Sequence, residues 1–362
     1  MNEKEHLVLQ TIKKNPYLSQ QEMAEQLNMS RPTLANIISG LIKKGEIIGR
    51  AYVLPEENAI VCIGGANVDR KFHINESVQY GTSNPAHLTE SVGGVARNIA
   101  ENLGRLGNNV KLITTLGLDQ DAETIKQTSG AYINFDLSIN LANHKTGSYS
   151  AVLDSNGELI LALADMAIYD LLLPTELMKH DASVFNAKCI IVDLNCPKET
   201  ILYLQNIAFE KQIPFIIVPV SSPKMKNMPD DLIGVSHFIC NLDEAEMYLN
   251  TKLQSEHDYI DAVKRLLEKG AQNVVLTLGG KGVIAGNLLS INRFEAVKVS
   301  HVEDVTGAGD AFVSALTHGV LNGEQFYDAV KFGLYNAAKT LQSDKTVRQD
   351  LSVNEITIWR NL

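Results

Sequence analysis

No run in this chain approaches the about 18 consecutive apolar residues that a membrane-spanning helix needs. The opening MNEKEHLVLQ also lacks the charged-then-apolar pattern of a secretory leader. The cysteines are only four, Cys62, Cys189, Cys196 and Cys240, and no two form a C-x-x-C pair. Three of them lie within or beside apolar strand-like runs, which reads as buried structural thiols rather than metal or redox ligands. A reduced, cytoplasmic setting is expected, with no membrane partner. G-x-x-x-x-G-K-[ST] is absent, so nothing supports a P-loop phosphate site. Basic excess is lacking too: the net charge is -10, residues 1–57 hold seven Lys/Arg against seven Asp/Glu, and the remainder holds 25 against 35. An acidic larger part disfavours extensive nonspecific binding to nucleic acid.

What is present is ordinary for a folded protein: 45% hydrophobic and 20% charged residues over a length of 362. That length allows one large domain or two moderate ones. The first 54 residues read as three helices and a short hairpin. EKEHLVLQTIKKN carries Leu7, Leu9 and Ile12 on a helical stripe and stops at Asn15-Pro16. Ser19 can cap QQEMAEQLN in a box with Glu22, and Ser30 can cap RPTLANIISGLIKKG, with Pro32 in its first turn. Two capped helices so close together predict a helix-turn-helix, and GEIIGRAYVL suits a two-stranded wing.

After the polar junction Pro55–Asn58 the pattern becomes an alternation of strands and helices. AIVCIGG, NVKLITTLG, CIIVDLN, PFIIVPV, HFICN and NVVLTLGG are short apolar runs with helical stretches between most of them. Strands apolar on both faces imply a largely parallel sheet covered on both sides, with ligands beyond the carboxyl ends of its strands. Residues 72–90 and 145–165 break the alternation. Their β character, with DSNG as a hairpin turn, predicts a small sheet projecting as a lid. The domain division is expected at 57/58.

DVTGAGDAF, residues 304–312, sits between the strand-like FEAVKV and a helical apolar run. Gly307 and Gly309 permit close backbone approach, and successive amides at a helix start make an anion hole. Asp310 reads two ways from this stretch: as a helix cap, or as a base beside a held phosphoryl group.

DVTGAGDAF resembles the C-terminal signature of the PfkB (ribokinase-like) sugar and nucleoside kinases, and GGVARN at 93–98 resembles their N-terminal glycine pair and asparagine. GGANVD at 64–69, NLDE at 241–244 and TLGGKG at 277–282 stand between them in the family's order, and the likeness spans about residues 59–360. It implies a three-layer α/β/α domain with a β-sheet lid, ATP and Mg2+ as cofactors, and a homodimer. Asp310 becomes the general base, with the Gly307, Ala308 and Gly309 amides holding the transferring phosphate. Asn67 and Asp69 would bind sugar hydroxyls, with Gly93, Gly94 and Asn98 beside them. Asn241 and Glu244 would serve magnesium and phosphate through water, though alone they equally read as a capping pair. Thr277, Gly279 and Gly282 would line the nucleotide side, and Asn336 would face adenine. Asp304 and Thr306 match positions whose backbone and neighbouring atoms bind a monovalent cation in the family, with Ser343 or Thr346 completing the loop, which implies K+.

PVSSPK and ADM (164–166) are similar to stretches of the family's pseudouridine kinases, which adds Ser221 and Lys224 on the substrate side and Thr146 in the lid. The implied reaction is ATP-dependent 5′-phosphorylation of pseudouridine, with another nucleoside, a ribose-type sugar, or a sensing transcription regulator on the same fold as alternatives. The first segment resembles MarR-like winged helices, so Arg31, Thr33, Asn36 and Arg50 are its candidate DNA contacts.

Overall fold

The computed structural model describes residues 2–48, 59–180, 184 and 186–361. Helices Glu3–Lys14, Gln20–Gln26 and Arg31–Lys43 form the N-terminal module. Each starts on a side-chain cap: capping boxes join Asn2 to Glu5 and Ser19 to Glu22, and Ser30 accepts from Thr33 N. Val8, Leu9, Ile12, Met23, Leu34 and Leu41 meet in its core. Leu7 is 42% exposed, contrary to the expected stripe. Val8 takes its place, because residues 8, 9 and 12 lie within one helical face and residue 7 does not. Gly49 to Asn58 fall outside the described residues, so most of the expected wing, Arg50 and the 57/58 division do too.

Fourteen strands follow among the described residues. β1 (Ile60–Ile63), β2 (Asn67–Ile74), β3 (Ala86–Gly93), β4 (Val110–Ile113), β5 (Thr115–Gly117), β6 (Ile139–Leu141), β7 (Ser148–Leu153) and β8 (Leu159–Asp165) make the first half. β9 (Cys189–Asp193), β10 (Phe215–Val218), β11 (His237–Asn241), β12 (Asn273–Thr277), β13 (Val283–Asn287) and β14 (Ile291–Phe294) make the second. The main sheet runs β14-β13-β12-β11-β10-β9-β1-β4, parallel from β12 to β4 and antiparallel at β13 and β14. Along β1 and β9 successive residues go to opposite cores: Val61, Ile63, Ile190 and Val192 to one, Ile60, Cys62, Cys189 and Ile191 to the other. A strand buried on both faces has no polar alternation to keep, which is why these runs read as continuous apolar. All four cysteines are buried and free. Among the described residues no helix is long and apolar enough to cross a membrane.

The lid is a four-stranded sheet, β3-β2-β7-β8, with Asp154–Gly157 turning β7 into β8. It begins at Asn67, ahead of the expected 72, so Asn67 and Asp69 lie on a lid strand. NVDRKFHI alternates with Val68, Phe72 and Ile74 on one face, but Arg70 breaks that face. A second difference concerns FEAVKV: β14 ends at Phe294, and the residues after it leave the ladder.

Candidate active site

The helix Ala308–Leu321 starts on Gly307, whose φ of 84° is the left-handed conformation that favours glycine. A Cβ at Gly307 would also collide with the carbonyl of Thr346. The first intrahelical bond is Ala311 N to Gly307 O at 2.8 Å, so the Gly309 and Asp310 amides precede it and have no partner within the helix. Beside Gly309 a Cβ would meet only open space.

Asp310 is not the cap, because no side chain caps this helix. Its Oδ2 instead accepts from Asn98 Nδ2 at 2.7 Å. Burial pushes its carboxyl up to about 7, against the lowering effects of the Asn98 bond and the Arg97 charge; Asp193 and Glu244 add to the rise. Asn98 itself lies in the helix Val95–Arg105, is buried, and leaves its Oδ1 without a hydrogen-bond partner. An orphaned buried acceptor next to a carboxylate near neutrality fits a ligand hydroxyl.

On the facing lid strand, Asn67 Nδ2 donates to Asp69 Oδ1 at 2.5 Å, and burial raises Asp69 to about 6 despite Arg97 and Lys71 nearby. Gly93, paired with Asn67 across β3, is glycine because a Cβ would overlap the Asp69 carboxylate. Gly94 caps the helix that carries Asn98. Asn67, Asp69, Gly93, Gly94, Asn98 and Asp310 thus come together.

Asn241 and Glu244 form a capping box: Asn241 N donates to Glu244 Oε2 at 2.8 Å, and Glu244 N to Asn241 Oδ1 at 2.9 Å. Glu244 is buried, and that burial raises its carboxyl. The box uses only one of its oxygens, and Asp310 lies within reach of its charge. Magnesium keeps several waters and needs few protein ligands, so this donor set fits it. Among the described residues no cluster of three or more His, Cys, Asp or Glu forms a cage.

Thr277, Gly279 and Gly282 line a cavity of about 520 Å³ that reaches Ala308 and Gly309. Its walls are Val297, Val305, Phe312, Leu334 and Ala337, so the chain after Phe294 serves as a pocket wall and not as a strand. Asn336 does not face this cavity. It is fully buried, donating to Ala311 O at 2.9 Å and accepting from Arg348 Nε at 3.1 Å, and its amide is spent inside the protein. On that helix, Phe326–Thr340, the cavity is met by Leu334, Ala337 and Ala338.

Thr146 is likewise not free to close over a ligand. It is buried, its hydroxyl donates to Asp119 Oδ1 at 2.7 Å and accepts from Gly117 N at 2.9 Å. Nor do Asp304, Thr306 and Ser343 converge on a cation. Asp304 Oδ1 accepts from the amide and hydroxyl of Thr306 at 2.8 and 2.7 Å, its Oδ2 takes Lys71 Nζ at 3.0 Å, and the Ser343 hydroxyl accepts from Lys345 N. These side chains do not fit a monovalent-cation cage, since a lysine already balances the carboxylate.

Lys224 meets Ala164 and Met166 of the lid in a second cavity of about 390 Å³; Ser221 lies just outside its lining, bonded through its carbonyl to Lys224 N. Arg31, Thr33 and Asn36 are exposed; Asn36 lies opposite the buried Leu34, Ile38 and Leu41, whereas Arg31 heads that same stripe at the helix start.

Three positioning residues escaped the sequence. Asp193 ends β9 and holds the first turn of the site, accepting from Gly65 N and Ala96 N at 2.9 Å each. Tyr169, fully buried, donates to Ala66 O at 2.6 Å. The charge of Arg97, fully buried, acts on both Asp69 and Asp310. The acid at the end of an apolar strand was a usable signal for Asp193; Tyr169 and Arg97 offered none beyond residue type.

A carboxylate raised toward neutrality, a helix start with open amides and a lid strand carrying Asn67 and Asp69 are the parts of a phosphotransferase site on an α/β/α scaffold. The chain matches the pfkB family carbohydrate kinase profile over residues 57–351 and a winged helix-turn-helix DNA-binding profile over 1–47, and it belongs to the PfkB family of carbohydrate kinases. It is 31% identical to the pseudouridine kinase of Escherichia coli K12 over 310 residues, covering 84% of this chain and 98% of that one. An uncharacterized sugar kinase of the same organism is 28% identical over 355 residues, 98% of both chains, and therefore spans the N-terminal module as well. A carbohydrate kinase from Agrobacterium tumefaciens superposes with a TM-score of 0.74 at 29% identity, covering 84% and 97%. The fold is the ribokinase-like one that the motifs implied, and the chain is a sugar or nucleoside kinase.

Proposed function

We propose that the chain transfers the γ-phosphoryl group of ATP to the 5′-hydroxyl of pseudouridine. The observation that carries the proposal is the pair Asn98 and Asp310: a proton acceptor poised near neutral pH, next to an unsatisfied buried oxygen that suits a second ligand hydroxyl. Asn67 and Asp69 hold sugar hydroxyls from the lid side. Asp310 removes the proton as the 5′-oxygen forms its bond to phosphorus, the bond from phosphorus to the bridging oxygen breaks, and ADP leaves with the electron pair. The Gly307–Gly309 turn and the Asp310 amide hold the phosphoryl oxygens. The apolar cavity beside Thr277, Gly279 and Gly282 takes the adenine. Glu244 would hold Mg2+, which when bound neutralises charge on the phosphates.

Pseudouridine is favoured over another nucleoside or ribose by the similarity to the Escherichia coli enzyme and by Lys224 facing Ala164 and Met166, where the base would lie. ATP consumption across pseudouridine, uridine, adenosine and ribose, with Asp310→Asn as control, tests the reading. Highest kcat/KM for pseudouridine supports it; equal turnover by the variant overturns it.

The N-terminal module binds DNA in this proposal, supported by its winged helix-turn-helix match and by the exposure of Arg31 at the start of the helix Arg31–Lys43 and of Thr33 and Asn36 along it. A salt-dependent mobility shift of the upstream DNA fragment, lost in Arg31→Ala, is the expected result. The four buried free thiols support a cytoplasmic setting, and the exposed Leu159, Leu161 and Leu163 on the lid edge strand support a homodimer.

A further inference from the structure

Arg97 has a side chain only 2% exposed, yet it carries a charge. Its guanidinium donates to four groups. Nη1 meets Glu101 Oε2 at 2.7 Å, Nε meets Gly93 O at 3.2 Å, and Nη2 reaches both Val92 O and Thr346 Oγ1, the latter at 3.3 Å. Thr346 Oγ1 in turn donates to Val92 O at 3.0 Å.

These partners belong to three separate parts of the site. Val92 and Gly93 end lid strand β3, and Gly93 is the residue whose missing side chain leaves room for Asp69. Thr346 lies in the C-terminal loop whose carbonyl packs against Gly307, the first residue of the helix that presents Asp310. Arg97 itself precedes Asn98, the partner of Asp310. A planar fork of donors can hold three backbone and side-chain oxygens in fixed relation, which a flexible ammonium cannot.

Charge adds a second function. Asp310 is faced by Asn98, Asp193, Glu244 and Arg97; Asp69 by Asn67, Lys71, Asp304 and Arg97. Of the cations, Arg97 alone acts on both carboxylates. Glu101, its ion-pair partner, is shared with Arg105 at 2.8 Å and with Ser129 Oγ at 2.8 Å, so the cluster is not neutralised by Arg97 alone.

We propose that Arg97 is a positioning residue for phosphoryl transfer, clamping the sugar-side end of β3 to the loop under the anion-holding helix while keeping a positive charge that acts on the two acids. The proposal rests on the kinase reading above. It requires no contact between Arg97 and the substrate.

The test is the pH dependence of kcat/KM and the separate kcat and KM for the nucleoside in the full chain, for Arg97→Lys and Arg97→Met, with calorimetric nucleoside binding alongside. Arg97→Lys keeps the charge and loses the fork: KM rises about tenfold while the acid limb stays where the unmodified chain has it. Arg97→Met loses both, so the acid limb also moves up by about one pH unit, because the carboxylates hold their protons longer without the cation. A role in folding alone would lower the active fraction and leave KM and the limb unmoved, and that result overturns the proposal. Should Arg97→Met fail to fold, Arg97→Lys decides: raised KM and weaker calorimetric binding uphold the clamp, and unmodified values sink it. Absence of turnover by the unmodified chain would refute the kinase reading instead, and nucleoside binding to Arg97→Lys would still report on the clamp.

Discussion

Asn98 Nδ2 and Asp310 Oδ2 are 2.7 Å apart, joined across 212 positions of sequence. The helix that starts after Gly94 supplies the amide, and the helix that starts after Gly307 supplies the acid. Two glycine-led helix starts therefore face each other, and the acid's proton affinity is set where they meet.

In the proposed reaction, replacing the acid removes the proton acceptor and leaves the backbone amides of the helix start in place. Asp310→Asn is expected to lower kcat by about 10²- to 10⁴-fold with little change in nucleoside KM, checked by steady-state kinetics. A loss confined to KM would contradict the assignment.

The same substitution should stabilise the chain in a pH-dependent way. Folding raises Asp310 from 3.8 to about 7, so the folded state holds this proton more tightly than the unfolded one. Stability therefore falls as pH rises through that window. Asp310→Asn has no such fall, and its gain in Tm over the unmodified chain should be larger at pH 8 than at pH 5 in thermal melts.

In kcat/KM the free protein's acids are reported directly. The profile should drop with unit slope below about pH 7 as Asp310 protonates, then more steeply below about 6 as Asp69 follows. A flat profile down to pH 5 would mean that neither acid acts in its charged form.

Gly93→Ala places a methyl group against the Asp69 carboxylate. Displacing that acid should raise nucleoside KM at least about tenfold, the scale of one charge-assisted hydrogen bond. ATP binding, measured by calorimetry, should be unchanged, because neither Gly93 nor Asp69 lines the cavity proposed for the nucleotide.

Lys71 and Asp304 tie the lid to the loop before Gly307 at 3.0 Å, with side chains 38% and 28% exposed. An ion pair so open to water contributes about 0–1 kcal/mol to folding. Lys71→Met should leave Tm nearly unchanged while hydrogen exchange in β2 quickens. Protection equal to that of the unmodified chain would show that the pair does not restrain the lid.

Much of this was legible beforehand where one physical demand fixes the residue type. Val61, Ile63, Ile190 and Val192 had to be apolar to sit in a sheet covered on both faces, and Gly307 had to be glycine to turn into its helix. Legibility failed where one pattern serves two ends. AVKV after Phe294 is as suited to walling a cavity as to pairing in a sheet. Asn336 carries a polar group that could face a ligand or, as here, satisfy Arg348 in the interior. Thr146 followed the same logic, its hydroxyl going to Asp119. Arg97 was invisible because an arginine in a helix ordinarily reads as solvated surface, and only the packing of β3 and the Thr346 loop above it encloses the charge.

The apolar walls of the nucleotide cavity have a consequence for the choice of donor. Val297, Val305, Phe312, Leu334 and Ala337 can sense the breadth and thickness of a flat ring, and any reading of the amino and keto groups along its edge falls to Thr277, Lys298 and the backbone of the lining. If the proposed donor binds there, its ring is gripped mainly by shape. Discrimination between one purine triphosphate and another then hangs on those few polar groups.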